Sequence, residues 1–281
     1  MPCQNIIHIR SMKTENLQGV ADTLYIPLVA RISVSKQFPD YFYDAKALSL
    51  EPTIPEKWQH IMEASKEYEN MAAVARYFNL DNMARQFMAQ HEQCNIVNLG
   101  AGLDTGFHRL SATNAIFYEV DLPEVIEIRR RVLGEQTGEV LIGGDMFDLS
   151  WTTRIDRSLP TLLMASGVFQ YFKHERLQTF IDDLKKAFPQ GELAFDATTQ
   201  IGIKVANSYV RRLGKRDAYM PFYINSSRAF ARKTQTKLLA SHPFFTDTRR
   251  ILGKRLKATT RFLMFWGDLL KMSKILHLQL N

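Results

Sequence analysis

One stretch limits what this chain can fold into more than any other: Asn95 to Asp121, NIVNLGAGLDTGFHRLSATNAIFYEVD. It opens on an apolar run, Ile96-Val97-Asn98-Leu99, short enough for a buried strand. Gly100-Ala101-Gly102 follows at once, where a strand must turn tightly into a helix. A second apolar run, Ala115 to Val120, ends in Asp121. Strand, glycine turn, helix, strand and carboxylate form half of a nucleotide-binding unit. A Cβ at either glycine would collide with a ligand lying against the turn. A carboxylate at the tip of the second strand accepts hydrogen bonds from both hydroxyls of a ribose.

The dinucleotide fingerprint asks for a third glycine three residues after the second, and Thr105 stands there. That disfavours nicotinamide and flavin cofactors. The spacing fits a methyltransferase better, because S-adenosylmethionine has no pyrophosphate to cradle. On the glycines alone, a ligand-free turn of an α/β protein is the alternative.

Around this unit, strands alternate with helices. Pro123 opens a helix that runs to about Glu135, and Glu139 to Ile142 reads as a strand leading into Gly143–Leu149. Thr161 to Ala165 reads as a buried strand opening into Ser166, 174–187 as a helix, and Glu192 to Phe195 as a strand before Asp196. The expected fold is α/β, a doubly wound and mostly parallel sheet with a helical cap. Ligands of such sheets lie outside the carboxyl ends of the strands. That edge would carry Gly100, Asp121, Asp145 or Asp148, Ser166 and Asp196.

Upstream, the spacing predicts helices over 14–35, from about Glu56 to Phe78, and from Asp81 (as N-cap) to Glu92. An aromatic loop runs from Ser35 to Asp44. Downstream, 201–213 and 227–239 read as helices and Tyr219–Tyr223 as loop. Phe262–Trp266 reads as a late antiparallel strand, and a helix from about Asp268 closes the pattern. The whole, 1–281, reads as one domain. Its parts are an N-terminal helical cap (1–92), a ligand-binding core (93–200), a substrate-cap insertion (201–240) and a segment completing the core (241–281).

With 281 residues, 46% of them apolar, the chain can bury a full core. It has no apolar run long enough for a transmembrane helix and no secretory signal pattern at MPCQNIIHIRSMK. Cys3 and Cys94 are the only cysteines, which suits a reducing cytoplasm, and the seven histidines show no metal-binding spacing. Charge is divided unevenly. Residues 201–281 hold 17 Lys and Arg against three acids, a net +14, leaving 19 bases and 26 acids, a net −7, in the first 200. The last third therefore either meets an anionic partner or is a solvated basic face.

Four segments in this order, NLGAGLDT, YEVDLPEVIEIRR, GGDMFDLSW and LLMASGVFQYF, resemble the leucine carboxyl methyltransferase family, and most closely its bacterial polyketide O-methyltransferase type. The resemblance covers roughly residues 20–200. It implies the class I methyltransferase fold, S-adenosylmethionine as cofactor with S-adenosylhomocysteine as product, and esterification of a carboxylate. Arg76 falls where the family sets an arginine on the methionine carboxylate, a pairing that suits a forked guanidinium. Lys36 matches a lysine approaching the same end. Gly100 and Gly102 line the cofactor's path, and Asp121 matches the ribose acid, with Glu119 sharing its strand face. Asp148 and Leu149 match the pair bordering adenine, although Asp145 could take the amine instead.

Two positions depart from the family. Gly106 stands where Asp-Thr-Arg would set an arginine, and Ser166, also at the cofactor, replaces a glutamate. An ionised carboxylate acceptor needs no general base, which accords with the lack of a persuasive catalytic dyad. For a phenol or alcohol acceptor, His108, His174 or Tyr171 would become the candidate base. Tyr25, Arg31, Tyr171, Tyr219 and Tyr223 are the expected walls of the acceptor pocket. The basic last third suits a small-molecule carboxylate or an acid held on an acidic carrier protein. Other readings are a protein C-terminal carboxyl methyltransferase, a nucleic-acid-binding module, and a cofactor-binding protein without transferase activity.

Overall fold

The computed structural model describes residues 24–280, apart from 57, 58, 61, 63, 64, 213–218 and the side chains of 209–212. Five strands run parallel: β1 (Cys94–Leu99), β2 (Ala115–Asp121), β3 (Glu139–Gly143), β4 (Thr161–Ala165) and β5 (Glu192–Thr198). With β6 (Lys237–Pro243) and β7 (Ser273–Gln279) they form a seven-stranded sheet of order β3-β2-β1-β4-β5-β7-β6. The strand β7 is antiparallel to both of its neighbours.

The helices are α1 (Tyr25–Gln37), α2 (Ala45–Leu50), α3 (Glu67–Ala89), α4 (Gly106–Leu110), α5 (Pro123–Leu133), α6 (His174–Ala187), α7 (Gln200–Arg212), α8 (Ser227–Lys233), α9 (Thr246–Leu252) and α10 (Ala258–Leu269). They cover both sheet faces, so β1 and β4 are buried at every residue, the polar Asn95, Asn98 and Thr161 included. Side chains alternate between the layers. Ile96 and Leu162 join Val34, Met71 and Val74 of α1 and α3. Val97, Leu163 and Leu193 join Phe180 and Leu184 of α6 on the other face. Strand order reverses between β1 and β4, which opens a crevice at their carboxyl ends.

The parallel half matches the expectation closely; four readings outside it need correction. Where two helices were expected over 56–78 and 81–92, α3 runs unbroken for 23 residues through Asp81. Asp81 is no cap: it is buried, and both its oxygens accept from Arg109, at 2.8 and 2.9 Å. The helix expected over 227–239 stops at Lys233 and gives way to β6. Phe262–Trp266 lies in α10, not in a strand, with Thr260, Met264 and Gly267 as its buried face. The closing element is β7, a strand where a helix was expected, because its backbone pairs with both β5 and β6 while Ile275 enters the core on one face and Leu276 and Leu278 on the other. Residues 14–23 of the first expected helix lie outside the described residues.

Candidate active site

The glycine turn leaves β1 with Gly100 at φ +68° and Gly102 at φ +49°. A Cβ on Gly100 would stand 2.6 Å from Val168 Cγ2, so the turn and the β4 loop are in direct contact. Asp121, at the end of β2, accepts from Gly102 N–H and Leu122 N–H, both at 2.7 Å. Burial pushes its carboxyl up, and those two N–H groups offset part of that. Each oxygen keeps a lone pair for a further donor.

Below the turn lie three buried guanidinium groups, two of which, Arg109 and Arg129, the sequence alone does not single out. Arg129 donates to the carbonyls of Gly102 (3.2 Å) and Asp104 (2.6 Å), and Arg31 donates to the carbonyl between them, Leu103, at 2.6 Å. Three successive carbonyls are thus held from one side. Arg109 adds ion pairs to Asp104, Asp81 and Asp44. A Cβ at Gly106 would lie 3.7 Å from Arg109 Nη2. The charge expected at position 106 therefore comes from one helical turn further on. Arg109 on α4 faces Asp81 on α3, and Arg129 on α5 faces Glu119 and Glu139 on β2 and β3; these pairings span elements whose meeting the sequence does not show.

Two expectations change here. Arg31 is no pocket wall: it is 1% exposed, paired with Asp44 at 3.0 Å, and set over the Tyr77 ring. Glu119 does not face the ribose position. It is fully buried, accepts from Asn98 Nδ2 at 3.0 Å and lies 3.3 Å from Arg129, a guanidinium it shares with Glu139. Burial, opposed by Arg129, pushes Glu119 up to about 7.

The opposite wall forms where β4 ends. Gly167, at φ +73°, donates to Asp196 Oδ1 at 2.6 Å, and Arg76 Nη1 reaches Asp196 Oδ2 at 3.4 Å. The Arg76 guanidinium lies flat against Gly167, since a Cβ there would stand 2.6 Å from Nη1 and 2.8 Å from Cζ. Burial works against the charge of Arg76, and Asp196 holds its pKa above the ordinary value. Among the described residues, Arg76 Nε and Ser166 Oγ are buried without a hydrogen-bond partner, a donor and a hydroxyl lacking what a bound carboxylate or amine would supply. Tyr171 stands close enough to feel both Arg76 and Asp196, and burial raises its pKa.

The remaining expected residues are more dispersed. Lys36, in the last turn of α1, is half exposed and pairs with Glu51. Asp148 caps the turn beginning at Leu149 by accepting from Ser150 N–H at 3.1 Å, while Leu149 is half-buried against the α6 layer. Asp145 instead pairs with Arg176 at 3.2 Å. Tyr25 is half-buried beside α2, and Tyr219 is 64% exposed. Tyr223 packs edge-on to His174, 5.0 Å between ring centres, and His108 packs on Phe107. Among the described residues no group of side chains could hold a metal ion.

The reversed strand order, the glycine turn facing an acid on the second strand, and the antiparallel β7 together define the class I methyltransferase fold. The chain belongs to the leucine carboxyl methyltransferase family, whose model matches residues 12–185. It is 28% identical over 247 residues to the tetracenomycin polyketide synthesis O-methyltransferase of Streptomyces glaucescens, covering 85% of this chain and 90% of that protein. Leucine carboxyl methyltransferase 1 of Rattus norvegicus is 24% identical over 169 residues, 46% of this chain and 51% of that one. In fold it is similar to a DUF574 family protein of Streptomyces avermitilis, with a TM-score of 0.51 and 13% identity, covering 90% of this chain and 97% of that chain.

Proposed function

We propose that this protein is an S-adenosylmethionine-dependent O-methyltransferase that esterifies a carboxylate of a small molecule, of polyketide type or similar chemistry. The observation that carries the reading is Arg76, a buried guanidinium with an unpartnered Nε, packed against Gly167 just beyond the end of β4. Family membership and the overall similarity to a polyketide O-methyltransferase support it.

When bound, S-adenosylmethionine supplies an activated methyl group and its own leaving group. The protein's part is then to bind, align and exclude water. Arg76 holds the amino-acid carboxylate of the cofactor, with Lys36 drawn toward the same end. Asp121 takes the ribose hydroxyls, Gly100 and Gly102 give room for close approach, and Ser166 offers its hydroxyl nearby. Asp148 accepts from the adenine amine and Leu149 lies against the ring. Asp148 suits that role better than Asp145, which Arg176 engages. Tyr171, beside Arg76, aligns the acceptor, and Tyr219 and Tyr223, from the chain ahead of β6, close the pocket together with Tyr25. The basic last third favours anionic acceptors, free or held on an acidic carrier protein. The compartment we assign is the cytoplasm, in keeping with two cysteines and no disulfide framework. No helix of the described residues is long and apolar enough to cross a membrane.

Calorimetry with S-adenosylhomocysteine tests the cofactor site. The protein should bind it, and Arg76→Ala should weaken binding by about 1.5–3 kcal/mol, the value of a hydrogen bond to a charged group. An unchanged affinity in that variant would remove Arg76 from the site. Methyl transfer to a panel of aromatic acids, their alcohol analogues and a peptide ending in a free carboxylate then identifies the acceptor class.

A further inference from the structure

The outward face of α10 is as apolar as its inward one. Thr260, Met264 and Gly267 turn toward the core, whereas Phe262, Leu263, Phe265, Trp266, Leu269 and Leu270 are 42–62% exposed. At about 100° per residue these six span an arc of about 160°, centred opposite the buried face. A surface helix ordinarily carries polar side chains there. The apolar arc is instead flanked by exposed bases: Lys254, Arg255 and Lys257 before the helix, Arg261 on its side and Lys271 after it. The acids of the region are engaged, Asp247 with Arg250, Asp268 with Arg249 and Asp40 with Arg255, so the unmatched flanking charge is that of Lys254, Lys257, Arg261 and Lys271. Beside the helix opens a hollow of about 430 Å³ lined by Arg249, Gly253, Ala258, Arg261, Phe262 and Phe265.

We infer that α10 is an interfacial helix that rests this protein on an anionic lipid surface. Phe, Trp and Leu on one face with Lys and Arg along its borders is the composition that lies in the headgroup layer. The bases meet the negative surface and the aromatic side chains enter the acyl boundary. A phosphodiester headgroup suits the hollow, because Arg261 and Arg249 line it together with Phe262 and Phe265. A second copy of this chain fits poorly, because it would bring like bases against each other. A protein partner would need polar groups within the patch to answer its own, and the arc offers Thr259 alone.

The test is co-sedimentation of the full chain with vesicles of phosphatidylcholine, with and without phosphatidylglycerol. The protein should partition onto the anionic vesicles and lose binding as salt rises. Phe262→Ser with Trp266→Ser should lower partitioning roughly tenfold or more, while its melting temperature and cofactor affinity stay those of the parent. Brominated phosphatidylglycerol should quench tryptophan fluorescence in the parent and not in Trp266→Phe. No binding to anionic vesicles overturns the proposal, as does equal binding to phosphatidylcholine alone. It is likewise overturned if the parent sediments as a dimer that the double substitution dissociates, which would assign the patch to a second copy. Tight binding of an acidic carrier protein through the patch, without vesicle binding, would assign it to a protein partner.

Discussion

Arg109→Met removes the guanidinium on which Asp44, Asp81 and Asp104 converge. The side chain is 3% exposed, and its partners are 0%, 6% and 13% exposed. Taking away one member of a buried ion pair costs about 3–5 kcal/mol, because a charge is left without compensation. Here three carboxylates are left with Arg31 and Arg129, and at Asp81 Arg85, as the remaining nearby charges, too few to replace the guanidinium they share, so the upper part of that range applies. The loss should depend on pH. In the parent protein, burial works to raise Asp104, but Arg109, Arg31 and Arg129 together hold it below the ordinary carboxylate range. Its contribution is therefore present above the unfolded value of about 4 and is lost as pH falls through the folded one. In the variant, the stranded carboxylates are desolvated and prefer a proton, so the variant gains stability relative to its unfolded chain as pH falls. Urea unfolding at about pH 8 and about pH 5 should show the deficit narrowing at the lower pH. A deficit under about 1 kcal/mol, or one unchanged between the two conditions, would refute the electrostatic account of this cluster.

Two further outcomes are expected. Gly167→Ala places a methyl 2.6 Å from Arg76 Nη1 at a backbone φ of +73°. It should displace the guanidinium and weaken S-adenosylhomocysteine binding about as much as Arg76→Ala, which calorimetry would measure. Glu119, pushed up to about 7 by burial, keeps its proton more readily folded than unfolded. Its contribution to stability is thus full below the unfolded value of about 4.3 and is lost as pH rises toward 7. Thermal unfolding across that window should show the decline in the parent and a flatter profile in Glu119→Gln.

The parallel half of the sheet was legible because its strands are buried on both faces and carry their own punctuation. Gly100, Asp121, Pro123 and the ASGVF turn each mark an end that local chemistry dictates. The last third was harder, because β6 and β7 exist by pairing across long sequence distances. The segment Lys274–Gln279 reads equally well as a helix until β5 and β6 stand on either side of it. In α10 the aromatic run Phe262–Trp266 suggested a strand by propensity, whereas burial at 260, 264 and 267 follows a helical period. At the site, Asp121 stands at the end of a strand that its own pattern marks, whereas Arg76, in the middle of α3, was singled out by the family resemblance alone. Arg31 could not be placed, because a tyrosine- and arginine-bearing helix looks like a pocket wall until its partner Asp44 is known. Asp196 was placed on the correct edge without a role, which depends on a glycine N–H and a guanidinium from two other elements.

The position of β7 also sets an order of assembly. Among the described residues it is the last strand in sequence, yet it lies inside the sheet, between β5 and β6. Until residues 273–279 have been made, β5 offers an open edge of buried apolar residues, Leu193 to Phe195, and β6 has no neighbour at all. During synthesis the nascent chain therefore holds a half-built sheet with a sticky border, the condition that invites strand exchange between neighbouring chains. Its ligand crevice, by contrast, lies between β1 and β4 and is framed long before that border closes.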